Sequence, residues 1–339
     1  MSITATNFVN SNQAAALSLP TISRARDLIA SMIGCLDLQQ YTLQWTGDEY
    51  ERINIPGESW MTRPDPTVTR NFLMASTFSD LFFIGRAFWA ITGRYSNGYP
   101  ATFQWLPAAQ VSVVDQPGPQ FFGPAADGIS INGKPLNPAD VVQFLSPIQG
   151  LLWQGARAMR IANRLDASAE RFATNEIAAG YLSQTGGEPL SVDELSEMAA
   201  GWSAARTTNS IGALNAYVTF TEFKSDPNRL QLVEARQFQA LELARAANIP
   251  AYLAGISVGG YTYQNAQQAR QDLYLFGAKP YMDCIQETLS LDQVLPRGRF
   301  VEFDVDRYLS DYGMAEQVAP MPEHELPMAA APRYENEDA

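Results

Sequence analysis

The strongest constraint on this chain is a change in its text near residue 150. From residue 151 to 179, Leu152, Ala156, Met159, Ala162, Leu165, Ala169, Phe172, Ala173 and Ile177 recur at helical spacing, which predicts one long helix. At about 100° per residue, Arg157, Arg160, Arg164 and Arg171 fall within an arc of about 60° on it. Such a stripe has two readings. It pairs with acids on an adjacent helix or subunit, or it presents a basic band to a phosphate backbone. A second long helix is expected over residues 229–247, so two long helices bracket a small insertion.

Upstream, the text is different. Ile22, Ala25, Leu28, Ile29, Met32, Ile33 and Leu36 mark an amphipathic helix after Pro20. Strand-like text follows at Leu38–Trp45, and Thr69 is placed to cap a helix running to about Leu81. Phe88 to Thr92 and Phe103 to Leu106, joined through Ser96, Asn97 and Gly98, read as a hairpin, because Asn and Gly tolerate positive φ. Further strands are expected at 110–114, 128–131 and 140–144, with a turn at Asn132 and Gly133. Residues 1–150 are therefore expected to be α+β and mostly antiparallel.

Downstream of the first long helix, Ser191 with Glu194 makes a capping box for a short helix. Residues 213–223 read as a strand or hairpin arm. Residues 266–291 read as a helix interrupted near Gly277 and Pro280. Residues 299–306 alternate like an edge strand.

Composition narrows the function. The chain has 339 residues, 46% of them apolar, enough for a real core over about two domains. Its formal net charge is −13, against a wide grip on nucleic acid, which needs Lys and Arg to displace phosphate counterions. More than half of the excess lies in residues 299–339, where the proline-spaced, aperiodic final stretch reads as an acidic, largely disordered tail: a solvated terminus or an arm for a basic partner. No apolar run reaches the length of a membrane span, and the N-terminus lacks a basic segment before an apolar core, so neither a span nor a secretory signal is expected. The expectation is a protein cytoplasmic where it is made.

The chemistry of catalysis is missing from the text. With two cysteines, Cys35 and Cys284, and one histidine, His324, there is no material for a disulfide scaffold, a Cys/His metal cage or a histidine-based triad. Both cysteines are read as buried thiols in a reducing compartment. The glycine pair in Val258 to Tyr261 lacks the spacing of a phosphate-binding loop, and there is no nucleophile elbow. Asp304 and Asp306 share strand spacing and read as a solvated edge rather than a cation site. No catalytic, cofactor or metal residue is assigned.

Several segments, in order, resemble the portal (head–tail connector) proteins of tailed bacteriophages, of the short siphophage type. LPTISRARDLIASMIGCLDLQQY resembles the family's opening helix and strand. WMTRPDPTVTRNFLMASTFSDLFFIGRAFWAITGRYSNGYPATFQWLPAAQVSVV resembles its most diagnostic block, an R-P-x-P-x-x-T turn followed by a G-x-A-x-W strand, a G-x-P turn and an L-P strand. ARAANIPAYLAGISVGGYTYQNAQQARQDLYLFGAKPYMDCIQETLS resembles its stem-to-tunnel segment, and FVEFDVDRYLSDY its closing strand. The resemblance covers about residues 17–312. Gln264 and Asn265 stand where relatives often have Ser-Asn, and a C-terminal crown is missing or reduced to the tail.

The resemblance implies an α+β portal fold: wing over 1–150, first stem helix over 151–180, clip over 181–228 and second stem helix over 229–247. It places the tunnel loop region at 248–265, the tunnel helix and returning wing strand at 266–311, and the tail at 312–339. Its tunnel loop would be Ser257, Val258, Gly259, Gly260, Tyr261, Thr262 and Tyr263, and its clip would include Arg206 and Lys224. It implies a structural ring, twelve copies in the family, at one capsid vertex of the virion, assembled in the host cytoplasm. Double-stranded DNA passes through without sequence-specific binding, and the major capsid protein, terminase and head–tail adaptor are partners. The alternatives are another virion ring component, such as an adaptor or tail-tube protein, and an enzyme of unknown type. Assembly into a ring separates the first two from the third.

Overall fold

The computed structural model describes residues 11–114, 128–173, 180–208, 217–222, 232–256 and 266–309. In chain order, α1 (Ser11–Leu17) and α2 (Pro20–Cys35) lead into the hairpin of β1 (Leu38–Trp45) and β2 (Tyr50–Ile55). The short α3 (Ser59–Thr62) precedes α4 (Arg70–Ile84), the β3 (Arg86–Arg94) and β4 (Pro100–Leu106) hairpin, and the small strands β5 (Val111–Ser112), β6 (Ser130–Ile131) and β7 (Lys134–Pro135). After β8 (Val141–Leu145) come α5 (Leu151–Gln154), α6 (Ala156–Ala173), β9 (Gly180–Gln184), α7 (Val192–Thr208), β10 (Val218–Glu222) and α8 (Leu232–Ala246). The described chain closes with α9 (Ala266–Asp272), a π-helical segment (Leu273–Ala278), α10 (Lys279–Leu289), β11 (Arg299–Phe303) and α11 (Asp306–Leu309). The chain divides into two compact units, one of Met1–Arg26 and Gly150–Gly259, the other of Asp27–Gln149 and Gly260–Ala339.

The second unit is built on α4. Its first turn is capped as the sequence predicts, Phe72 N donating to the Thr69 hydroxyl at 3.2 Å. It ends at Gly85, whose φ of +86° is the left-handed region that glycine enters without strain. Between these ends α4 buries Leu73, Met74, Phe78, Leu81, Phe82 and Phe83. The ring of Phe78 meets Tyr281 of α10 edge-on at 5.1 Å. Sheet β4-β3-β8 adds Trp89, whose ring lies 5.4 Å from Phe103 and 4.8 Å from Phe144. The Trp89 indole donates to Thr77 Oγ1 at 2.7 Å, and that hydroxyl donates to Leu73 O at 2.7 Å, so no polar group of this pair is buried unpaired.

A second sheet has the order β11-β1-β2, with Leu38 opposite Phe303 on one side of β1 and Gln40 opposite Ile55 on the other. The expected edge strand at 299–306 is thus an edge, and it ends at Phe303. One face of this sheet carries Tyr41 stacked on Phe300 at 5.3 Å, Arg52 over the Tyr41 ring at 4.2 Å, and a bidentate pair from Arg52 to Glu302. The pairing of β1 with β11 joins residues 265 positions apart, since Gln39 Nε2 donates to Asp304 Oδ2 at 2.6 Å.

In the first unit, α6 and α8 lie antiparallel. Gln154 Nε2 donates to Ala246 O at 3.3 Å, Gln239 Nε2 to Ala158 O at 2.9 Å, and Arg236 pairs with Asp166 at 3.0 Å. Strands β9 and β10 form a two-stranded antiparallel sheet, and Trp202 of α7 lies against Phe220 of β10 at 5.5 Å. The expected capping box closes, Ser191 N donating to Glu194 at 2.8 Å and Glu194 N to the Ser191 hydroxyl at 3.4 Å.

Four expectations change. The single helix over 151–179 is interrupted at Gly155, which ends α5 by donating to Leu151 O at 2.8 Å; a Cβ there would sit 2.9 Å from that same oxygen. The helix after Ser191 is not short, because α7 runs 17 residues. The helix at 266–291 is not broken at Gly277 but carried through it as a π segment, the wider turn absorbing the irregularity without a loop. Cys35 is exposed, because it falls off the buried seam of Ile29, Met32, Ile33 and Leu36; only Cys284 is buried. Among the described residues no helix is long and apolar enough to cross a membrane.

Candidate functional site

Helix α6 presents the arginine stripe. Among its described side chains Met159 and Ala162 are buried, and Arg157, Arg160, Arg164 and Arg171 are exposed on other faces. The pairing across to α8 runs the opposite way, α6 supplying the acid Asp166 and α8 the cation Arg236. Glu242 of α8 is taken by Arg245 of the same helix. Among the described residues the side chains of Arg157, Arg160 and Arg164 make no hydrogen bond or ion pair. Pairing with the adjacent helix of the same chain is therefore not what these three do.

The same unit exposes apolar side chains that the periodicity did not single out. Val233 is 66% and Phe238 60% exposed on α8, and Trp153 of α5 is 62% exposed. The buried positions of α8 are Gln239, Leu243 and Ala244, and the large apolar Val233 and Phe238 fall outside that set.

The loop residues Ser257, Val258, Gly259, Gly260, Tyr261, Thr262 and Tyr263 lie outside the described residues, as do Lys224 and His324. Arg206 lies in α7, and its side chain is also outside them. The loop is flanked upstream by a 3-10 turn, Ala251–Ala254, closed by Gly255, and downstream by α9. Beyond α9, the π segment leaves Leu275 and Phe276 about half exposed, while Gly277 lets it approach α2: a Cβ at 277 would meet Ile29 Cδ1 at 3.1 Å. Lys279, at the start of α10, donates to Asp283 at 2.6 Å, and that bond raises its pKa.

Burial shifts three titratable groups of the second unit. Burial pushes the Asp80 carboxyl up to about 7, against the pull of its bonds from Ala108 N and Trp105. Burial also raises the Tyr281 phenol, and it pushes the Cys284 thiol up to about 12. Asp304 and Asp306 do not form a pair on one strand face, since Asp304 is bonded by Gln39 and Asp306 opens α11. Among the described residues no three of His, Cys, Asp and Glu come together as metal ligands.

A family model described as phage portal protein matches residues 20–317. The crystal structure of an HK97 family phage portal protein from Corynebacterium diphtheriae is similar with a TM-score of 0.69 at 25% identity, over 91% of this chain and 98% of that one. The neck of a native gene transfer agent particle, computed with twelve-fold symmetry, contains a chain of the same fold, TM-score 0.60 at 17% identity, over 93% of this chain and 88% of that one. A chain of the native gene transfer agent virion is similar to the same degree, TM-score 0.60 at 17% identity, over 91% and 87%. No curated protein matches.

Proposed function

The chain belongs to the phage portal protein family, which makes it a structural subunit of a portal ring in the virion, and from that premise we propose how its parts divide the work. Packaging of viral DNA is the role of that family. Residues 1–150 form the wing, joined by the returning strand β11. Helices α6 and α8 form the stem, residues 181–228 the clip, residues 257–263 the tunnel loop, and α9 through α10 the tunnel helix. Twelve copies close the ring in this reading, which is assembled in the host cytoplasm. It meets the major capsid protein, the terminase during packaging and the head–tail adaptor afterwards.

Two physical arguments support this division. A conduit for DNA must surround the duplex without holding it, because each phosphate contact adds affinity. A net charge of −13 suits a lining that keeps the duplex off the wall. Half-exposed Val233, Phe238 and Trp153 suit contacts between neighbouring stems, since a lone subunit would leave them in water.

The observation that carries the reading is a portal fold running nearly end to end in this chain and in the Corynebacterium diphtheriae protein. The test is size-exclusion chromatography of the full-length protein with negative-stain microscopy. The expected result is a ring with a central hole. A monomer or dimer that persists at high concentration defeats it.

A further inference from the structure

Arg160 and Arg164 of α6 border a groove of about 450 Å³ between α1 and α6, within one unit. Its floor is apolar: Ala16, Leu152, Ala156 and Met159. Its rim is polar, with Asn12 from α1 and Asn163, Arg160 and Arg164 from α6. An apolar floor between amide donors and two cations fits a peptide, whose side chains fill the floor while its carbonyls and acids meet the rim. A phosphate backbone would satisfy the arginines and leave the floor in water.

We propose that this groove binds the acidic C-terminal segment 319–329 of the chain, Ala-Pro-Met-Pro-Glu-His-Glu-Leu-Pro-Met-Ala. Three features select it. It combines Glu323 and Glu325 with Met321, Leu326 and Met328, the two chemistries that the groove asks for. Pro320, Pro322 and Pro327 each fix a backbone angle, so docking costs less conformational freedom than it would for a proline-free segment. The spacing also matches: Arg160 and Arg164 rise about 6 Å along a helix, and Glu323 and Glu325 stand about 6–7 Å apart in an extended chain. The other terminal segment, residues 1–10, contains no acidic residue and cannot meet the two cations.

The tail therefore turns a basic patch into a neutral one on each subunit. In a ring, the bound segment comes from the same copy or from the next.

The test is disulfide trapping in the full-length protein. Cys35 is replaced by Ser, and Asn163→Cys is combined with His324→Cys. Cys284, buried and bonded to Leu145 O at 3.0 Å, stays out of the reaction. The expected result is oxidation several-fold faster than that of a control pair joining Asn163→Cys to Ala339→Cys. A shifted monomer band reports a tail docked on its own copy, and a dimer band reports one docked on a neighbour; both support the proposal. Arg160→Glu with Arg164→Glu should slow trapping roughly tenfold, and adding Glu323→Lys with Glu325→Lys should restore it, as expected for charge-assisted contacts. Trapping no faster than the control overturns the proposal. So does trapping indifferent to charge reversal. If the arginine reversals instead abolish retention on immobilised DNA and leave trapping unchanged, the groove serves nucleic acid and the proposal falls.

Discussion

The indole Nε1 of Trp105 donates to Asp80 Oδ2 at 2.9 Å, joining β4 to α4 through a carboxyl that is 4% exposed. Ala108 N donates to the same oxygen at 3.0 Å. Two donors do not offset the loss of water around a buried charge, and the carboxyl rises from its ordinary 3.8 to about 7.

The sign follows from proton uptake. Between these two values the folded state holds a proton that the unfolded state has lost, so this group's contribution falls as pH rises from about 4 to about 7. Asp80→Asn keeps an acceptor for Trp105 and Ala108 and has nothing to ionise. Its stability relative to the parent should improve progressively across that window, by up to about 4 kcal/mol, and level off above it. Denaturant titrations at pH 4, 6 and 8 measure this, and a parallel pair of pH profiles contradicts it.

Thr77 and Trp89 make another buried polar link in this core. Thr77→Val keeps the volume but leaves the indole N–H without its acceptor, which costs about 1–3 kcal/mol. Trp89→Phe alone loses buried ring volume, but combined with Thr77→Val it leaves no donor unpaired, so the double variant should lose less than the two single variants together. Urea unfolding midpoints of the three variants decide it, and additive losses would mean that the bond is not coupled.

Gln40 offers the opposite case. It is 1% exposed in the central strand β1, and neither its amide nitrogen nor its oxygen has a hydrogen-bond partner among the described residues. Gln40→Met replaces a desolvated amide by an apolar chain of similar length. It should stabilise the fold by about 1–2 kcal/mol. A lower melting temperature for the variant would rule this out.

The glycines of the proposed tunnel loop give a functional prediction. Gly259→Val with Gly260→Val stiffens and thickens that segment and leaves the residues of α6 and α8 unchanged. Rings should form in normal yield and particles should contain less DNA. Microscopy scores the rings and quantitative amplification the packaged genomes; normal packaging would remove the loop from the translocation path.

Much of the second unit could be read from the text because its signals are local. β1 spans the predicted Leu38–Trp45, Thr69 caps α4, and Asn132 and Gly133 take the positive φ values that their turn needs. β2 was not foreseen, since Tyr50, Glu51 and Arg52 alternate with nothing buried; the partner strand makes it a strand. α1 was missed for a related reason, SNQAAAL being too short to display a period. The break at Gly155 and the π turn through Gly277 depend on contacts with Leu151 and Ile29, which spacing alone does not contain.

The site was legible in part. Periodicity places the four arginines together, and the structure adds that α8 answers Asp166 and not Arg157, Arg160 or Arg164. The groove beside Arg160 and Arg164 was invisible, because one of its walls is α1, an element with no periodic signature. Cys35 misled because cysteine is so often buried that its place at a helix end, off the apolar seam, carried no weight.

The antiparallel ladder from Leu38–Phe303 to Thr42–Arg299 means that β1 waits for a strand made hundreds of residues later. A ribosome has released β1, β2 and every helix through α10 before that ladder can close. Until then β1 keeps one open edge, the kind of surface that chaperones hold and proteases find. A nascent chain that stops short of Phe303 cannot cover that edge, which stays open to pairing with another strand.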